Sequence, residues 1–135
     1  MEVLPYANIQ WVEQGGNRLY VLASNALYTY NKADQSIQTY DKQNGLSSID
    51  IRFIGWNEVA KCLVIVYEDN NIDLMDAKGN VTNVPDYYLK ALTADKTVYG
   101  IDMNGAYCYL STGFGLVKLN VAKAEISDSY NLSFP

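Results

Sequence analysis

RLYVLASNALYTYNKADQSIQTY, residues 18–40, reads as three β-strands joined by two turns. Residues 19–23 are all apolar or aromatic. Residues 26–30, Ala-Leu-Tyr-Thr-Tyr, are rich in the types that fit a pleated, half-buried surface. The next six residues, Asn-Lys-Ala-Asp-Gln-Ser, carry the side chains that bend a chain by bonding to its backbone. Residues 37–40 then supply the closing strand.

The same plan returns twice, as KCLVIVYEDNNIDLMDAKGNVTNV (61–84) and AYCYLSTGFGLVKLNVAKAEISDSY (106–130). The equivalent residues Leu27, Ile72 and Leu116 stand 45 and 44 positions apart. From each to its next marker (Ile37, Val81, Ile126) the distance is 10, 9 and 10. A further strand candidate precedes each unit, at 8–13, 51–56 and 97–103, and ends in a turn at 15–17, 57–58 and 104–105. Four strands in about 40–45 residues make a unit the size of a propeller blade.

The fold class expected is therefore all-β: three four-stranded antiparallel propeller blades, at about 6–41, 50–84 and 96–131, forming a partial β-propeller over 1–135. Strand alternation predicts burial on both faces between stacked blades, with the most apolar strands (19–23, 63–67, 107–111) nearer the axis. Propellers usually carry about 4–8 blades. Three leave the outer faces of both end blades open, and exposed apolar faces drive association. The expectation is a two-fold homodimer closing a six-bladed ring. The competing expectation is a segment of a longer protein whose remaining blades follow residue 135.

Composition narrows the function. With 49% hydrophobic and 19% charged residues the chain is ordinary globular rather than disordered. Its net charge of −5, with ten scattered basic residues, argues against nucleic acid as the partner. The start, MEVLPYANIQ, lacks the basic head and apolar stretch of a signal peptide. No run approaches the ~20 apolar residues of a membrane helix. Cys62 and Cys108 lie in apolar runs and read as buried free thiols; a bridge between repeats needs Cα atoms within about 7 Å.

Histidine is absent, which removes His-dependent triads and most zinc sites. The expected enzyme class is none, with no cofactor and no metal. Glu68 and Asp69, with Asp73 and Asp76, form the one acidic cluster. It lacks the spacing of a calcium loop and reads as solvated charge on a turn and an exposed strand face. An enzyme would have to use such carboxylates, Asp69 or Asp73, on an axial face. Gly113-Phe114-Gly115 reads as a tight turn rather than a nucleotide loop, since it runs into a strand. Tyr and Trp suit saccharides because a sugar's apolar face stacks on a ring. The candidate ligand-binding residues are therefore Trp56, Tyr67, Glu68, Asp69, Tyr87 and Tyr88. For the four aromatics, packing between blades is the plainer reading. The longer connection 85–96, PDYYLKALTADK, suits one helical turn of Tyr87, Tyr88, Leu89 and Leu92, and a loop of this kind is a natural partner contact.

Residues 26–31, Ala-Leu-Tyr-Thr-Tyr-Asn, and the connector 44–48, Asn-Gly-Leu-Ser-Ser, resemble the repeat of the two-component-regulator propeller family. Residues 95–98 and 109–117, Tyr-Leu-Ser-Thr-Gly-Phe-Gly-Leu-Val, are similar to the N-terminal propeller of the PorZ type, surface components of type IX secretion. The resemblance implies a location in the periplasm or at the surface of a Gram-negative cell. It implies a secretion scaffold binding protein or lipopolysaccharide partners, or the glycan-sensing region of a hybrid two-component sensor. It brings no active-site residues with it.

Overall fold

The computed structural model describes residues 9–23, 26–89 and 95–131, and within them the chain folds into three four-stranded antiparallel sheets. The first holds β1 (Ile9–Gly15), β2 (Arg18–Ala23), β3 (Ala26–Asn31) and β4 (Ile37–Tyr40). The second holds β5 (Ile51–Asn57), β6 (Cys62–Tyr67), β7 (Ile72–Asp76) and β8 (Val81–Val84). The third holds β9 (Val98–Asn104), β10 (Tyr107–Thr112), β11 (Gly115–Asn120) and β12 (Glu125–Asn131). Each sheet is a meander in chain order. This is the expected set of three propeller blades. Asn8, Leu92 and the start of the first blade at residue 6 lie outside the described residues.

Local chemistry sets the turns. Gly15 pairs with Arg18, and Asn104 with Tyr107, leaving two-residue hairpins that begin at Gly16 and Gly105. Both glycines have φ near +60°, the value this hairpin position demands and a side chain resists. Between the first two sheets, residues 42–44 make a single 3-10 turn capped by Asp41, whose carboxylate accepts from the amides of Gln43 and Asn44.

The sheets stack, and alternation along each strand divides the core into two layers. Leu63, Ile65 and Tyr67 of β6 face the first sheet and meet Tyr20, Leu22 and Leu27. Val64 and Val66 of the same strand face the third sheet and meet Cys108, Leu110, Val117 and Leu119. β6 is thus buried on both sides, which explains its unbroken apolar run. Both cysteines are free thiols, Cys62 half-buried and Cys108 buried.

The expectation about the axis is corrected. β1 approaches β5, and β5 approaches β9, more closely than other strands of different sheets. The first strand of each blade is therefore innermost, and the most apolar strands β2, β6 and β10 come second. Close approach explains the order: Gly55 on β5 has no room for a side chain, since a Cβ would lie 2.8 Å from Ile101 Cδ1 and 2.9 Å from Met103 Cε. The second strand, covered on both faces, is where full apolarity is most useful.

Candidate ligand-binding site

Where the hairpins of the first two sheets meet, a cleft of about 440 Å³ opens at the rim. The turn 15–18, Asn31, Ala33, Trp56, Lys61 and Ala77 line it. Trp56 ends up there because its strand runs toward this rim and its indole has space only over a glycine. A Cβ on Gly15 would lie only 2.4 Å from Trp56 Cδ2 and 2.5 Å from its Cε3. On the core side the indole stacks on Tyr20, centroids 5.6 Å apart and planes 19° apart. Its backbone amide donates to Glu13 Oε1 at 2.9 Å, and its Nε1 donates to Glu58 Oε2 at 2.7 Å. The ring is thus held by Gly15, Tyr20 and Glu58 and its backbone by Glu13, while Trp56 also lines the cleft.

Two cations share that wall, Arg18 at the start of β2 and Lys61 before β6. Lys61 Nζ donates to Glu58 Oε1, and bonds from Lys61 and Trp56 hold the Glu58 carboxyl below its ordinary range. Burial pushes the Tyr20 phenol upward, with Arg18 pulling the other way. An aromatic side chain whose exposed part shares a cleft with a guanidinium and an ammonium can contact a sugar's apolar surface and bind its acidic substituents. Replacing Gly15 with Ala should displace the indole and destabilise the fold by about 1–3 kcal/mol. Near-ultraviolet circular dichroism should lose the Trp56–Tyr20 signal; an unchanged spectrum and denaturation midpoint would show that the ring does not depend on that glycine.

The other candidates do not converge on this cleft. Tyr67 is fully buried and its hydroxyl donates to Asp73 Oδ2 at 2.6 Å. Burial, then this bond, raises its pKa. Tyr87 is buried against Phe114, donates to the Lys96 carbonyl at 2.5 Å and lies under the Lys96 ammonium. Burial pushes its phenol up to about 12. Tyr67 fills its own interface, and Tyr87, though buried, lines a separate cleft of about 370 Å³ with Asp86, Leu89, Val117, Ile126 and Ser129. Tyr88 and Leu89 are exposed, on a turn closed by the Leu89 amide donating to the Pro85 carbonyl.

The acidic cluster is also dispersed. Glu68 pairs with Arg52 at 3.1 Å. Asp69 accepts from Ser48 Oγ and from the Asn71 amide. Asp76 accepts from the amides of Lys78 and Asn80 within its own turn. Asp73 overturns the expectation of solvated charge. It is fully buried between the first and second sheets, where its two oxygens accept from Ser47 N at 2.8 Å, Ser47 Oγ at 2.7 Å, the Tyr67 hydroxyl and Asn83 Nδ2 at 3.0 Å. The connector 44–48 is thereby explained: Leu46 enters the core while Ser47 and Ser48 are tied to Asp73 and Asp69. Asp73 and Asp69 also sit away from the innermost strands, so they do not form an axial pair. Arg18 and Lys61, the cations of the cleft, were not among the sequence candidates.

Among the described residues no helix is long and apolar enough to cross a membrane. No curated protein matches the sequence. Among solved structures, PorZ, described as an essential surface component of the type IX secretion system of Porphyromonas gingivalis, is 33% identical with a TM-score of 0.84. That match covers 94% of this chain and 17% of PorZ. The extracellular domain of the BT4673 one-component system from B. thetaiotaomicron gives a TM-score of 0.69 at 16% identity, over 92% of this chain and 17% of its own. AztD from Citrobacter koseri gives 0.68 at 14%, over 95% and 34%. The last two identities speak for the fold alone. The chain thus spans under a fifth of the length of PorZ and of the BT4673 domain. The family described as the type IX secretion PorZ N-terminal β-propeller domain matches residues 19–135, and the chain belongs to that family.

Proposed function

We propose that these blades are a non-catalytic interaction module of a cell-envelope protein, a PorZ-like secretion scaffold of the periplasm or cell surface that binds protein or lipopolysaccharide partners. The observation that supports this most is the rim cleft, whose wall Trp56 shares with Arg18 and Lys61. A sugar seated in the cleft against the exposed part of Trp56 puts its carboxylate or phosphate substituents within the field of two cations. Calorimetric titration with lipopolysaccharide and with acidic and neutral oligosaccharides tests the reading. Trp56→Ala should weaken binding of any positive ligand by about tenfold or more, and Arg18→Ala should weaken acidic ligands selectively. Binding indifferent to both substitutions, or no binding across the panel, would remove the cleft from the reading.

A second reading is a periplasmic glycan-sensing segment of a hybrid two-component sensor. The fold shared with the BT4673 extracellular domain favours it. Under this reading a neutral glycan binds as well as an acidic one and Arg18→Ala changes little.

A further inference from the structure

Behind the rim cleft, in the join between the first and second sheets, lie two hydroxyls that the fold buries without satisfying. Tyr20 and Thr29 are 1% and 2% exposed, and among the described residues neither side-chain oxygen has a hydrogen-bond partner. The two residues pair directly across β2 and β3. Tyr20 packs against the second sheet, and alternation sets Thr29 on the same side, two residues beyond buried Leu27. The next pair on that side is Arg18 and Asn31, about 7 Å along the strands. Both of those line the cleft. The Arg18 guanidinium also lies near enough to favour the ionised Tyr20 phenol. The opposing sheet offers the pair no relief. Leu63, Ile65 and Met75 of the same cluster carry no nitrogen or oxygen on their side chains, and the Tyr67 hydroxyl is committed to Asp73. Folded chains satisfy nearly all buried polar groups, because an orphaned hydroxyl costs stability.

We infer that the rim cleft has an inner polar end, where the Tyr20 hydroxyl and Thr29 Oγ1 bind a hydroxyl group of a saccharide. This rests on the reading of the cleft as a sugar site and names the groups that select the sugar. A sugar hydroxyl suits the pair because it donates to one oxygen and accepts from the other. It also brings no charge into a dry interface. Arg18 and Lys61 then select acidic substituents at the mouth, while Tyr20 and Thr29 select the position of a neutral hydroxyl behind them. Groups kept for a ligand lower the stability of the free protein and raise its affinity, and that pairing of opposite effects sets them apart from groups kept for the fold.

Tyr20→Phe and Thr29→Val test this, since each removes the oxygen and keeps the shape; the Phe ring still stacks under Trp56. Without ligand, each variant should raise the urea midpoint, because an unpaired buried oxygen is gone. Tyr67→Phe removes a hydroxyl of the same interface that has its acceptor, and should lower the midpoint. Calorimetric titration with trigalacturonate and with maltotriose should show each of the first two variants binding about fivefold more weakly than the unsubstituted chain, on both sugars alike. A lowered or unchanged midpoint in Tyr20→Phe and Thr29→Val would overturn the inference, since the hydroxyls then serve the fold, as they do when they hold a buried water. A raised midpoint with sugar affinity unchanged would overturn it too, and would leave the mouth of the cleft standing as the whole site. No binding of either sugar by the unsubstituted chain would overturn the reading of the cleft itself, and the inner end with it.

Discussion

Asp73→Ala should cost about 3–5 kcal/mol, a large part of the ~5–15 kcal/mol that typical domains possess. The carboxylate is fully buried and accepts from four donors on three segments: Ser47 N, Ser47 Oγ, Tyr67 hydroxyl and Asn83 Nδ2. Truncation leaves the buried Tyr67 hydroxyl and the half-buried Ser47 donors without their acceptor, each at a desolvation penalty of about 1–3 kcal/mol, while exposed Asn83 keeps its bonds to Asn71 Oδ1 and the Ile72 carbonyl. The donors on the Ser47 side also hold the connector that seats Leu46. Loss of Asp73 should therefore loosen the join between the first two sheets as well as the site of mutation. Asp73→Asn should be milder but still harmful, because the amide replaces one accepting oxygen with an NH2 donor group amid surroundings made of donors. Asp69→Ala, at an exposed turn, should cost only about 1 kcal/mol. Urea denaturation reads all three as midpoint shifts at unchanged slope. Equal midpoints for Asp73→Ala and Asp69→Ala would show that the buried carboxylate is not a fastening point.

Alkali should destabilise the fold well before ordinary tyrosines ionise. Burial pushes the Cys108 thiol up to about 12, from a usual value of 9. Tyr87 is likewise raised to about 12, and Tyr67 is raised further by burial and by its bond to Asp73. The folded chain keeps these protons where the unfolded chain releases them, so the unfolded state binds fewer protons and stability falls with rising pH. Their contribution is whole below pH 9, begins to be lost from pH 9 through Cys108, and is lost faster above pH 10 as the tyrosines join. Cys108 alone, at about 1.4 kcal/mol per unit, should account for roughly 2–3 kcal/mol by pH 11. Thermal melts from pH 7 to 11 should show a plateau followed by a steepening decline. Cys108→Ala should lower the plateau and make the decline between pH 9 and 10 shallower, leaving there the smaller contribution of the half-buried Cys62 thiol, which burial also raises. Stability that stays flat from pH 8 to 11 would contradict the burial of all three acids.

The repeat made most of the fold legible. Constant spacing between Leu27, Ile72 and Leu116 placed the strands to within a residue or two, because strand periodicity and turn chemistry act over a few neighbours. Asp73 shows where that reasoning ended. In Ile-Asp-Leu-Met-Asp, alternation sets Asp73 opposite Ile72 and Leu74, and in a sheet with one wet face that side is solvent. A middle blade has no wet face. The donor Ser47 lies 26 residues back in the chain, outside any local window. The site was half legible for a similar reason. Trp56 stood out by type and by its place at a strand end. Arg18 and Lys61 join it only when two sheets stack and their hairpins share a rim. The signal that does exist is the Gly15-Gly16-Asn17 turn, whose position in its repeat matches that of the turn after Trp56. Aligning the repeats and setting equivalent turns side by side brings Arg18 and Lys61 to one place. Tyr67 and Tyr87 follow the plainer reading of packing between blades, and their inward partners, the Asp73 carboxylate and the Lys96 carbonyl, were not legible because a hydroxyl-bearing ring at a strand end looks the same whatever its partner is.

The double burial of β6 has a consequence for how the chain comes apart. Val64 and Val66 depend on the third sheet for shelter, as Leu63, Ile65 and Tyr67 depend on the first. Peeling off either flank wets half of the central ribbon at once, so a partly melted chain gains little by keeping the remainder. Melting should then be a single concerted event, unlike the stepwise fraying of a long solenoid whose modules carry their own shelter.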